Sequence, residues 1–108
     1  MKNLKKEVVR AALLNPKLKL IKDISVSEGI LNASVVHPRE VMVSAIKESA
    51  ASIVLVHNHP SGDPTPSQAD VEITHRLRKT GDIIGIKMID HIIIGDGTFY
   101  SFADEGMI

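Results

Sequence analysis

The stretch Ile53-Val54-Leu55-Val56-His57-Asn58-His59-Pro60-Ser61-Gly62-Asp63-Pro64-Thr65-Pro66-Ser67-Gln68-Ala69-Asp70 leads from the most apolar segment of the chain, through a loop rich in proline and glycine, into a helical pattern. Its continuous apolar run, Ile53 to His57, reads as the central strand of a sheet, buried on both sides. Strand side chains alternate between faces, so His57 and His59 project the same way if extended backbone continues through Asn58. Two imidazoles can then share one ion. A catalytic zinc takes three protein ligands and leaves one position open, and Asp70 is the nearest following carboxylate that a helix can swing back as the third. Two nitrogens and an oxygen suit zinc, with manganese, iron and other divalent ions as alternatives.

Each element also has a plain structural reading. Paired histidines arise by chance, Ser-x-x-Asp before a helix is a capping box, and Pro-Ser-Gly-Asp-Pro is ordinary turn chemistry. Their combination carries the metal reading, because the cap has another candidate. Thr65 serves as N-cap, with Pro66 at the first helical position and Gln68 three residues after the cap. Ser67 and Asp70 then sit in the first turn, where the helix dipole favours an ionised Asp70.

With 108 residues, 44% of them hydrophobic, the chain reads as one small globular domain covering 1–108. Thirteen lysines and arginines balance thirteen aspartates and glutamates, so no global positive field draws in phosphate backbones. Aromatics make up 3%, too few for a base-stacking platform. Arg76, Arg78 and Lys79 cluster late in the second helix, where cations are explained by the C-terminal dipole. The expectation is that the isolated domain binds no nucleic acid. There is no cysteine, which excludes disulfides and leaves any metal to His and carboxylate. No apolar run matches a membrane span, and Met1 to Lys6 lacks the apolar stretch of a secretion signal, so the expected address is cytoplasmic.

Along the chain, Glu7 to Leu14 reads as a strand. Leu18 to Ser25 and Ile30 to Val36 read as two more around a Glu28-Gly29 turn, giving an antiparallel meander. His37-Pro38 starts a helix with Val41 or Met42, Ala45, Ile46 and Ser49 along one face. A second helix is expected from Pro66 to Thr80, with Ile73 and Leu77 inward and Gly81 at the C′ position. Ile83 to Met88, His91 to Ile94 and Thr98 to Phe102 follow as short strands, the last two joined by Gly95-Asp96-Gly97. Strands interleaved with two helices make an α/β or α+β layered fold, a mixed sheet packed with two main helices. His91, inside an Ile-rich strand beside Asp90, reads as a hydrogen-bonded core histidine. His37 reads as a helix-start residue and His75 as a helix-surface one.

The chain resembles a JAB/MPN domain, of cytidine deaminase-like architecture, carrying the JAMM metalloprotease motif. That motif is an upstream Glu followed by His-x-His, seven residues, Ser, two residues and Asp. His57-Asn58-His59, the seven residues Pro60 to Pro66, Ser67 and Asp70 match it without a gap. Within that group the chain is most similar to the RadC family, once linked to DNA repair. Val36-His37-Pro38-Arg39-Glu40-Val41, His57 to Gly62, Asp90 to Gly95 and Ser101-Phe102 resemble its recurrent blocks.

The resemblance implies His57, His59 and Asp70 as metal ligands, with Ser67 beside the attacking water. It places the upstream acid at the start of the first strand. Glu7 fits, because Leu14-Asn15 follows at the family's spacing. Glu40 is the rival, yet it begins a helix and has a dipole role there. RadC proteins usually carry an N-terminal helix-hairpin-helix region, which does not precede Glu7 here; a fragment or a short stand-alone member is the expectation. The implied activity is zinc-dependent hydrolysis of a peptide or isopeptide bond in a peptide or protein substrate. Glu7 would act as general base, and the Ser67 hydroxyl as an oxyanion donor contributing roughly 3 kcal/mol. The alternative is a DNA-repair-associated module or a metal-dependent nuclease.

Overall fold

A computed structural model describes residues 6–29 and 36–108. Its elements are strands β1 (Val8–Leu14) and β2 (Leu20–Glu28), helix α1 (Pro38–Lys47), strand β3 (Ser52–Asn58), helix α2 (Gln68–Ile84), and strands β4 (Lys87–Ile94) and β5 (Phe99–Ser101). The strands form one mixed five-stranded sheet in the order β2-β1-β3-β4-β5. β3 and β4 run parallel, which requires a crossover, and α2 supplies it; the other pairs are antiparallel. This is an α/β fold consistent with a JAB/MPN domain. Among the described residues, no helix is long and apolar enough to cross a membrane.

Register decides which residues share the core face. Ala11 pairs with Leu55 and Leu13 with Ile53, and all four are buried. Val41, Met42 and Ala45 of α1 and Ile73 and Leu77 of α2 join the same cluster. Val9 pairs with His57, so the pleat that builds the core also points the first histidine toward the helices. β3 is central, as its apolar run implies. It is not buried on both sides, however: Val54 and Val56, with Ile92 and Ile94 of β4, are only half-buried on the opposite face.

The expected Leu18 strand start is replaced by a turn. The Asn15 side-chain oxygen accepts hydrogen bonds from the Lys17 and Lys19 amides, with Leu18 at φ 63°, so β2 begins at Leu20. The expected Ile30 to Val36 strand lies, apart from Val36, outside the described residues; Val36 is buried and outside any strand. α1 buries Val41, Met42 and Ala45, but Ile46 is exposed, and Ser49 lies beyond the helix end at φ 53°.

The second helix corrects the expected caps at both ends. Thr65 is not the N-cap, because its amide and hydroxyl both donate to the Asp63 carboxylate. Ser67 caps α2 instead: its Oγ accepts from the Asp70 amide while Asp70 Oδ2 accepts from the Ser67 amide, a reciprocal capping box. At the other end the helix passes through Gly81 and stops at Gly85, which is left-handed at φ 81°. Gly81 is buried, and a Cβ there would strike the Ile86 carbonyl oxygen, so its missing side chain admits the returning chain. Ile83 and Ile84 are therefore helical. The two strands expected between Ile83 and Ile94 form one, β4, with a register shift next to Asp90. Arg76, Arg78 and Lys79 fall mid-helix, and the last turn of α2 carries no base, which removes the dipole explanation for those charges.

Candidate metal centre

Four side chains converge where β1, β3 and α2 meet. Ligand atoms of Glu7, His57, His59 and Asp70 all lie within 4.8 Å of one another. His57 is held on the core face of β3. Glu7, just before β1, is brought alongside by the residue between the histidines: Asn58 accepts from the Val8 amide at 2.7 Å and donates to the Lys6 carbonyl at 3.0 Å. The backbone on both sides of Glu7 is thus fastened to β3. In the sequence Asn58 reads only as a spacer, and nothing in its local pattern marks it as the residue that fastens Glu7.

His59 follows β3, with its amide donating to the Ile94 carbonyl. Its Nδ1 lies 2.9 Å from the Asp63 carbonyl oxygen, which can only accept, so Nδ1 carries hydrogen. The loop thereby fixes the ring orientation, as a carbonyl typically does for a ligating histidine. Asp63 in turn accepts from the Thr65 amide and hydroxyl, which hold its carboxyl below the usual range. Asp70 is presented by the first turn of α2, fully buried, because the capping box locks Oδ2 against the Ser67 amide at 2.8 Å.

The contacts inside the cluster point to a missing positive charge. His59 Nε2 is 3.1 Å from Asp70 Oδ2 and 3.8 Å from Glu7 Oε1. With Nδ1 donating to the loop, Nε2 is the His59 nitrogen that faces those oxygens. His57 Nε2 lies 2.5 Å from Glu7 Oε1, and its Nδ1 is 3.3 Å from Asp70 Oδ1. Burial lowers the pKa of His57 from 6.5, against the opposing pull of Asp70 and Glu7, so the ring is neutral and has one N–H for two carboxylates. His57 Nδ1 and Asp70 Oδ1 are buried without a well-formed hydrogen bond. Two carboxylates crowded on a buried imidazole that cannot donate to both are costly, and a divalent cation among them removes that cost. The residues present therefore fit a metal ion.

Access is one-sided. The side chains of His57 and Asp70 are 0% exposed, whereas Glu7 retains 19% and His59 13%. Ser67 is exposed at the same helix start. Glu40 lies elsewhere, exposed in the first turn of α1, beside a separate cleft lined by Ile24 and Val26. A family model for the RadC-like JAB domain matches residues 1–107.

The chain belongs to the RadC-like JAB domain family. Its relatives include the UPF0758 protein of Geotalea uraniireducens, 59% identical over 104 residues, covering 96% of this chain and 46% of that protein. Another is the UPF0758 protein of Geobacter sulfurreducens, 58% identical over 104 residues, with 96% and 45% covered. A third, from Caldanaerobacter subterraneus, is 56% identical over 106 residues, with 98% and 46% covered. The chain spans about half the length of the curated relatives it matches.

Behind the four-residue cluster the RadC-like chain places a fully buried second layer. The His91 ring stacks on His57 with centroids 5.8 Å apart and on Phe102 at 4.8 Å. Burial pushes the His91 pKa down to about 3, so this ring is neutral near pH 7. Asp90 anchors the layer by accepting from the His91 and Ala103 amides and from the Ser101 hydroxyl. His91 is thus a hydrogen-bonded core histidine, as its strand context implies. His37 is the exposed N-cap residue of α1, and His75 is exposed on α2.

Proposed function

We propose that this RadC-like domain is a metal-dependent hydrolase of amide bonds, with zinc as the resident ion and a peptide or isopeptide as substrate. The observation that carries this reading is the convergence of two imidazoles and two carboxylates on one partly open point. His57, His59 and Asp70 hold the ion through nitrogen and oxygen donors, the donor set of cysteine-free catalytic zinc sites. When bound, such an ion acts as a Lewis acid toward a carbonyl and brings the pKa of a coordinated water to about 7.

The chain's own groups supply the rest. Glu7, partly open and adjacent to both histidine Nε2 atoms, accepts the proton of the attacking water and returns it to the departing amine. Ser67 Oγ accepts from the Asp70 amide, which occupies a lone pair and leaves the hydroxyl hydrogen free to donate. That hydrogen stabilises charge developing on the substrate carbonyl oxygen. The fully buried rings of His91 and Phe102 keep water from approaching His57 from behind.

The test is hydrolysis of fluorogenic peptide and isopeptide libraries by zinc-loaded protein, with a chelator-treated sample as control. Turnover that disappears on chelation and returns with added zinc supports the proposal. Cleavage unaffected by chelation, or none in a protein shown to contain zinc, opposes it.

A further inference from the structure

The second layer connects to both buried metal-site residues by different physics. Thr74 Oγ1 lies 2.7 Å from the Asp70 carbonyl oxygen and 2.7 Å from His91 Nδ1. Each of these short contacts requires a hydrogen between its atoms. The carbonyl can only accept, so the single hydroxyl hydrogen points to Asp70, and the hydrogen shared with His91 must come from Nδ1. The tautomer of His91 is thereby fixed as Nδ1–H, with the bare Nε2 buried and without a hydrogen-bond partner. The chain of bonds runs from His91 through Thr74 to the backbone of Asp70.

The ring face makes the second connection. His91 lies nearly parallel to Phe102, with 5° between planes, and 26° from the plane of His57. Both neighbours are fully buried, so His57 cannot tilt without displacing a ring that is itself seated on Phe102. We infer that His91 is a positioning residue: its N–H, relayed by the Thr74 hydroxyl, sets the first turn of α2 that presents Asp70, and its ring sets the orientation of His57. The inference rests on the metal-centre reading given above. Outer contacts of this kind typically alter metal affinity by about 10- to 100-fold.

Two variants break the hydrogen-bond relay while keeping a stacked ring against His57: Thr74→Val, which removes the hydroxyl, and His91→Phe, which removes the N–H. Affinity is read by competitive zinc titration, coordination geometry by the cobalt d–d spectrum, and folding by the melting temperature of the metal-free protein. Both variants are expected to bind zinc about 10- to 100-fold more weakly and to alter the cobalt spectrum, with Thr74→Ser restoring both. Wild-type affinity and an unchanged spectrum in both variants would overturn the inference.

A metal-free readout separates its failure from that of the hydrolase proposal. If wild-type protein binds no metal, the functional reading falls, and ring 15N and 1H resonances of the metal-free protein decide the positioning claim. A protected His91 Nδ1–H signal, and His57 ring resonances that shift or broaden in Thr74→Val, support it. His57 resonances identical in the two proteins refute it.

Discussion

Replacing Asp70 by Asn separates the structural duty of this residue from its proposed duty as ligand. In the metal-free protein the Asn carbonyl oxygen can still accept from the Ser67 amide, so the cap survives. The lost charge at the helix start costs about 0.3–1 kcal/mol, offset by no longer burying a carboxylate whose Oδ1 lacks a hydrogen-bond partner. Metal-free stability should therefore change by less than about 1 kcal/mol. Zinc at 100 times its Kd should stabilise the wild-type protein by about 2.7 kcal/mol. For a chain of this size that is an upward melting shift of roughly 10–20 °C. If the variant binds about 100-fold more weakly, the same zinc concentration yields about 0.4 kcal/mol, a shift of roughly 2–3 °C. Scanning calorimetry of chelator-dialysed samples, with and without zinc, measures all four values. A zinc-induced shift as large in Asp70→Asn as in wild type would refute Asp70 as a ligand.

Glu7→Gln should retain zinc by elemental analysis and lose about 10²- to 10⁴-fold in turnover; unchanged turnover would exclude Glu7 as the proton carrier. Folded-state pKa values depressed below 6.5 for His57 and His91 mean that the unfolded chain takes up protons first as the pH drops. Their contribution to stability is complete above about pH 6.5 and declines as the pH falls below it; for His91 the loss continues toward about pH 3, with a slope of about 1.4 kcal/mol per pH unit. Urea denaturation of metal-free protein from pH 7.5 to 4.5 should show this loss, and a shallower slope in His91→Phe; equal slopes would contradict it. Gly81→Ala would gain about 1 kcal/mol by helix propensity alone, but its Cβ meets the Ile86 carbonyl, and overpacking of about 1–3 kcal/mol should make the variant less stable by urea titration.

The central strand and the His-x-His spacing were readable because alternation is a local rule: once Ile53 to Val56 is a strand, the faces of its neighbours follow. Glu7 was reachable through the family resemblance, yet what places it is Asn58, fifty residues beyond its neighbour Val8 in sequence, and nothing local reveals that bond. The misplaced N-cap shows competition between equivalent local signals. Thr65 and Ser67 both suit the position, and the choice fell to Asp63, which accepts the Thr65 hydroxyl. Gly81 misled for a related reason. A glycine after an apolar face signals a C-cap, but here it serves a tertiary close approach, with the left-handed cap at Gly85. His91 was recognisable as a core residue, while its link to Asp70 depends on a helix-strand contact that only the folded chain supplies.

The most direct test is an anomalous difference map at the zinc edge from crystals of protein purified without added metal, supported by elemental analysis. The account predicts one peak per chain, at about 2.0–2.2 Å from a ring nitrogen of His57, one of His59 and a carboxylate oxygen of Asp70, with Glu7 beside it and unbonded. No peak in zinc-saturated crystals, or an ion held elsewhere with His57 and His59 unligated, would contradict it.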